Sequence, residues 1–175
     1  ERYFRKLLEL GKREQEARYY LGRTREMRED YDAALEWYAK VTEGDYWLEA
    51  QTRMASMRAK TGDLEGARRQ LNDLRVRQPA LAVRLYLVEG DILSQAGKLR
   101  EALALYNQVL TEQPNNHDLL YARALVAERL NDLALAEADL RRIVAEDPNN
   151  SHAWNALGYT LADRTDRLVE ALEYI

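Results

Sequence analysis

Two histidines, His117 and His152, stand 35 residues apart at matching places near the starts of successive helical segments. Stacked segments would make them neighbours in space. A metal site built on them needs a third ligand, and Asp118 is the only acid close by in sequence. Two exposed polar residues at helix starts account for the pair without a metal, so no metal and no cofactor are expected. Three serines occur, Ser56, Ser94 and Ser151, and none sits in Gly-x-Ser-x-Gly. There is no Walker-type glycine loop and no His-Glu-x-x-His. The absence of cysteine removes disulfides, thiolate metal sites and cysteine catalysis. The chain is therefore not expected to be an enzyme.

The remaining charged groups read as surface. The 30 acidic and 26 basic residues leave a net charge of −4, which gives no uniform basic field for a phosphate backbone, and no nucleic acid is expected as a partner. Glu26, Glu29 and Asp30, like Glu137 and Asp139, fall on helix exteriors where solvation explains them. The pairs Arg68-Arg69 and Arg141-Arg142 have the same explanation, with room left for an anionic partner. No apolar run reaches the roughly 18 to 20 residues of a membrane span, and Glu1-Arg2-Tyr3-Phe4 does not resemble a signal peptide.

What positions these residues is a repeat. A small residue returns at Ala34, Ala67, Ala102, Ala136 and Ala171, at intervals of 33, 35, 34 and 35 residues. A second small set, Gly22, Ala55, Gly90, Ala124 and Gly158, precedes it by twelve residues in four units and thirteen in the last. Pro79, Pro114 and Pro148 follow the alanine by twelve residues. Periods of this length predict a solenoid of stacked units rather than one globular core.

Each unit reads as two amphipathic helices. Leu85, Tyr86, Val88, Ile92, Leu93 and Ala96 recur at helical spacing, Gly97-Lys98 interrupts, and Leu99, Ala102, Leu103, Tyr106, Val109 and Leu110 resume. Gly62-Asp63 and Asn131-Asp132 supply the turn and then a side chain to cap the following helix. Gln113-Pro114-Asn115-Asn116 and Asp147-Pro148-Asn149-Asn150 stop one unit and cap the next. Close approach of two backbones at Gly90 and Ala102 is expected, with Tyr86, Leu93, Tyr106 and Val109 filling the flanks.

The pattern resembles the tetratricopeptide repeat, carried by Trp154, Leu157 and Gly158 in the last unit and by Tyr86, Gly90, Gly97, Leu99, Ala102, Tyr106 and Pro114 in the third. The resemblance implies an all-α fold, a right-handed α-α superhelix of antiparallel helix pairs. Residues 1–14 then read as the end of a preceding repeat, 15–47, 48–82, 83–116 and 117–150 as full repeats, and 151–175 as a truncated one. The first unit has Tyr46 where proline is expected, and the last carries an extra residue in Arg164-Thr165-Asp166-Arg167. Both ends look cut from a longer protein, and self-association through exposed end helices is expected.

In this family the first helices line a concave face that holds partner proteins. Carried onto this chain, the partner-binding residues are Tyr19, Arg23 and Met27; Arg84, Leu87 and Asp91; Tyr121, Leu125 and Arg129; and His152, Asn155 and Tyr159. Tyrosine and arginine combine contact area with directional hydrogen bonds, as binding surfaces require. The carboxylate clamp of chaperone-binding members is not matched, because the first three units offer Tyr19 and Arg23, then Arg53, then Arg84 and Val88.

The stretch 155–167 resembles a segment of large proteobacterial tetratricopeptide lipoproteins of the outer membrane, among them adaptors of a periplasmic carboxyl-terminal processing protease. That resemblance implies a non-catalytic scaffold on the periplasmic side of the outer membrane, with the protease and peptidoglycan hydrolases as partners. The membrane is then reached only through an anchor outside this stretch. Two other readings stay open: a regulatory repeat region of a larger enzyme such as a glycosyltransferase, and a pilus-assembly lipoprotein.

Overall fold

A computed structural model describes residues 1–165 and 167–172. Asp166, in the extended turn, and residues 173–175, at the end of the expected last helix, lie outside the described residues. The described chain is all-α. It forms two compact units, Glu1–Ala80 and Leu81–Ile175.

The first unit contains α1 (Arg2–Glu9), α2 (Glu14–Glu26), α3 (Tyr31–Ala39), α4 (Trp47–Lys60) and α5 (Leu64–Arg77). The second follows a 3-10 turn at Pro79–Leu81 and contains α6 (Ala82–Gln95), α7 (Leu99–Glu112), α8 (His117–Arg129), α9 (Leu133–Glu146), α10 (Ser151–Arg164) and α11 (Leu168–Ala171). Within the first unit each helix packs on its successor. The same holds within the second, where α6 also touches α8, so first helices lie side by side.

The turns inside the pairs share one solution. Glu29, Gly62, Gly97 and Asn131 adopt positive φ of 58°, 99°, 75° and 63°. The next amide donates to the carbonyl five residues back: Asp30 to Arg25, Asp63 to Arg58, Lys98 to Leu93 and Asp132 to Ala127. This left-handed stop consumes carbonyls that the ending helix leaves open. The following helix is then capped by a side chain at Asp30, Asp63 and Asp132, which accept from the amides of Ala33, Gly66 and Leu135. Between pairs, Asn116 and Asn150 accept from Leu119 and Ala153. Leu81, which occupies the corresponding place before α6, makes no side-chain cap.

The returning alanines are the centre of the packing: Ala34, Ala67, Ala102 and Ala136 have no exposed surface and Ala171 is 1% exposed. Around them, Tyr19, Tyr38, Leu21, Met57 and Leu71 fill the first unit, and Leu85, Leu93, Leu119, Leu120, Leu140, Ile143 and Leu157 fill the second. The expectation for Gly90 needs correction. It faces the ring of Tyr106 rather than simply admitting a second backbone. A Cβ there would stand 2.8 Å from Tyr106 Cε1 and would overlap Cζ and Oη. Gly22 meets Tyr38 in the same way, at 2.7 Å from two ring carbons.

Several charges assigned to solvated exteriors are structural. Asp139 is 4% exposed and accepts two hydrogen bonds of 2.7 Å from Arg123, which also donates to Asn107. This pair joins α7, α8 and α9. Glu26 accepts from Tyr38 and from Arg53, and Asp30 caps α3. Glu137 binds Arg141 and Arg167, Arg141 reaches Glu170, and Arg167 also reaches Glu170, so four charges fasten α11 to α9. Arg142 is likewise engaged, with Glu146 and Asn115. Periodicity identifies the exterior of a helix but not which part of that exterior the next helix covers.

Candidate functional site

The first helices of the second unit, α6, α8 and α10, carry most of the expected partner-binding residues. Leu87 comes from α6, Tyr121 and Leu125 from α8, and His152 from α10. The structure brings these four together around one open cavity of about 360 Å³. Ala122 keeps its wall low, and His117, Asp118 and Asn150 complete one end. The floor is apolar, Leu125 being 39% exposed, while the polar groups sit at the helix starts. The volume suits one or two apolar side chains of a partner with polar contacts at the rim.

The rim is partly fixed. His117 Nε2 lies 2.9 Å from Glu146 Oε2 on α9, which corrects the expectation of a simple exposed histidine. Hydrogen bonds from His117 and then Arg142 hold the Glu146 carboxyl below its ordinary range. Asn150 Oδ1 is occupied by the Ala153 amide. His152 is exposed. No group of three His, Asp or Glu placed for a metal occurs among the described residues.

The other expected residues of this unit lie outside the cavity. Arg84 is exposed on α6, and Asp91 accepts from Gln95 at 2.6 Å. Arg129 donates to the Ser94 carbonyl at 3.1 Å, tying the end of α8 to the end of α6. A cation at that carbonyl also favours the negative helix terminus. Asn155 is exposed, and Tyr159 presents 59% of its surface.

In the first unit the expected trio separates. Met27 is 80% exposed just after α2, whereas Tyr19 is 2% exposed and packs among Tyr20, Tyr38 and Tyr46. The rings of Tyr20 and Tyr46 close over it. The Tyr19 hydroxyl donates to Glu49, and Arg23 reaches Tyr19 Oη at 3.2 Å. Arg53, which sequence reasoning met only as a failed clamp residue, organises this region: it donates to Glu49 at 3.0 and 3.1 Å and to both Glu26 oxygens at 3.1 Å. Tyr38 donates to Glu26 at 2.7 Å.

The network is electrostatically closed. Burial works to raise the Glu49 pKa, but hydrogen bonds from Tyr19 and Arg53 outweigh it and leave the carboxyl below its usual range. Burial, and then Glu26, hold the Tyr38 phenol well above its usual value. Satisfied charge pairs of this kind orient α2 against α4 and leave little unpaired charge for a ligand. Glu49 and Arg53, four residues apart, carry the ordinary signal of a pair on one helix face, whereas Glu26 lies 27 residues before Arg53, six short of the 33-residue repeat, and nothing in the spacing marks it as a partner.

The chain matches the sequence model described as tetratricopeptide repeat over residues 1–46, 52–117, 87–151 and 121–175. It is 42% identical over 159 residues to a TPR repeat-containing protein of Pseudomonas aeruginosa, covering 91% of this chain and 27% of that protein. It is 32% identical over 126 residues to cellulose synthase operon protein C of Pseudomonas fluorescens, covering 68% of this chain and 9% of that one. The chain thus spans about a quarter or less of the length of these relatives. Among solved structures it is similar to a tetratricopeptide repeat protein from Parabacteroides merdae, with a TM-score of 0.58 and 25% identity over 72% of this chain and 50% of that one. MamA from Desulfovibrio magneticus also superposes, with a TM-score of 0.58 and 17% identity over 93% and 91% of the two chains.

Proposed function

This chain belongs to the tetratricopeptide repeat family, and from that premise we propose that it acts as a non-catalytic adaptor whose second unit grips partner proteins in the cavity formed by α6, α8 and α10. Repeats of this family are protein-interaction scaffolds, and other proteins are its partners. The observation that carries the siting is the convergence of Leu87, Tyr121, Leu125 and His152 on one apolar hollow with a polar rim. Side-chain caps at the starts of α8 and α10, and the packing of all three helices, give that hollow a preformed shape, which lowers the ordering cost of binding.

The adaptor role we favour is presentation of peptidoglycan hydrolases to a periplasmic carboxyl-terminal processing protease, at the outer membrane, through an anchor elsewhere in the protein. Its support is the likeness of the stretch 155–167 to such adaptors and the 42% identity to a Pseudomonas repeat protein. No helix among the described residues is long and apolar enough to cross a membrane. A second reading, a repeat region serving a glycosyltransferase, draws on the likeness to cellulose synthase operon protein C.

The test is reconstitution with purified components. The full-length protein, the processing protease and a peptidoglycan hydrolase are mixed, and hydrolase degradation is followed with and without the repeat protein. Acceleration that is lost in Leu87→Ala/Tyr121→Ala supports the adaptor. An unchanged degradation rate removes it.

A further inference from the structure

The first unit carries a second surface that the concave reading does not use. We propose that the groove shared by α4 and α5 docks an acidic, extended segment of a partner protein. The groove has a volume of about 400 Å³ and is lined by Arg58 from α4 and by Arg69 and Arg77 from α5, with Met54 and Leu74 as its apolar part. Three cations stand against one lining acid, Asp73. In a chain of net charge −4 that is a local reversal of sign.

The pairing of these groups points to a ligand. Arg69 and Arg77 are exposed and, among the described residues, have no hydrogen-bond or ion-pair partner. Arg58 is held 3.6 Å from Asp63, yet its Nε is buried without a hydrogen bond. Gln70 donates to the Gln51 carbonyl at 3.0 Å, while its own Oε1 is buried without a donor. Both of these atoms are closed off from the open space of the groove, so the guanidiniums of the exposed Arg69 and Arg77 are what a ligand meets. A peptide carboxylate supplies the charge-assisted partner that the Arg69 and Arg77 guanidiniums lack.

Spacing defines the segment further. Arg69 and Arg77 are eight residues apart on α5, or about 12 Å along the helix. Carboxylates four residues apart in an extended chain span about 13 Å, so acids at every fourth position meet both guanidiniums. Asp73 lies midway between the two arginines on the helix, where it repels a uniformly charged polyanion but tolerates a neutral residue. Met54 and Leu74 offer that intervening residue an apolar contact. Discrete carboxylates on a polypeptide fit this pattern, and a nucleic acid or an anionic bilayer does not.

The test uses the full chain and fluorescence anisotropy. The probe is a labelled peptide of about a dozen residues with glutamate at every fourth position among serines and leucines. Its lysine counterpart, a single-stranded oligonucleotide and phosphatidylglycerol vesicles are the comparison arms. Saturable, salt-sensitive binding of the glutamate peptide is expected, weakened at least about tenfold in Arg69→Glu/Arg77→Glu. Arg69→Gln/Arg77→Gln is expected to weaken it in the same direction, with circular dichroism checking the fold of both. The proposal is overturned by no binding of the glutamate peptide, by equal affinity in the folded variants, or by tighter binding of the oligonucleotide or vesicles.

Discussion

Gly90 on α6 and Tyr106 on α7 are fitted to each other: the missing Cβ of the glycine is what allows the tyrosine hydroxyl to reach the Leu87 carbonyl at 3.5 Å. Tyr106 is 3% exposed, so its ring has little room to retreat. Gly90→Ala is expected to destabilise the protein by about 1 to 3 kcal/mol through overpacking. Tyr106→Leu in the same molecule should recover much of that loss. Ala55 and Leu71, and Ala124 and Leu140, are natural residue pairs at the same separation of 16. Denaturant melts of the two single variants and the double variant measure the coupling, and additive losses would contradict the fit.

Arg123 and Asp139 form a second pair on which packing depends. Removing one partner of a buried ion pair leaves the other uncompensated, so Asp139→Ala should cost about 3 kcal/mol. Replacing both partners with well-packed apolar residues should cost much less. Chemical denaturation of Asp139→Ala and of Arg123→Met/Asp139→Leu checks the ordering.

Acid should loosen the attachment of α11 and the first-unit network. Burial works to raise the Glu137 pKa, but hydrogen bonds from Arg167 and Arg141 overcome it, and Glu49 is held down in the balance described above. A carboxylate with a depressed folded pKa stabilises fully above the unfolded value of about 4.3, and that contribution is lost as pH falls through the folded value. Melting temperature should therefore drop on acidification below about pH 4.5. Glu137→Gln should show a shallower drop than the parent.

At alkaline pH the tyrosines act in the opposite sense. Burial, assisted by Asp91, pushes the Tyr106 phenol up to about 12, and Tyr38 is raised also. A neutral phenol with a raised folded pKa contributes stability in full below the unfolded value of about 10, and loses it as pH rises through the folded value. Absorbance titration should show some of the eleven tyrosines ionising late, together with loss of helical dichroism. Simple ionisation of every tyrosine near pH 10 would contradict the packing of Tyr38 and Tyr106.

The repeat made the helix pairs, their turns and their central alanines readable, because each is a local signal that recurs. Asp63, Asp132, Asn116 and Asn150 cap where residue type and neighbouring turn predict. The fate of individual polar side chains was less readable. Tyr19 and Tyr121 occupy expected binding positions in their units, yet one is buried and the other lines a cavity. What separates them is the local company, since Tyr20 and Tyr46 close over Tyr19 whereas Ala122 leaves space beside Tyr121. Asp139 and Glu137 likewise look alike along the helix, but Asp139 is buried against Arg123 of α8, whereas Glu137 stays more open and meets Arg167 at the start of α11. The Gly-to-Tyr and Ala-to-Leu exchange at fixed separation was present in the sequence and marks the packing once the partners are known.

The central claim is that the hollow of α6, α8 and α10 holds a partner protein. Titration of the processing protease against the full-length repeat protein and against Leu87→Ala/Tyr121→Ala measures this most directly. The account predicts saturable binding that weakens by roughly tenfold or more when these two contacts are removed, as for residues at the centre of an interface. Equal affinity for a properly folded double variant, or no binding by the parent, would contradict it.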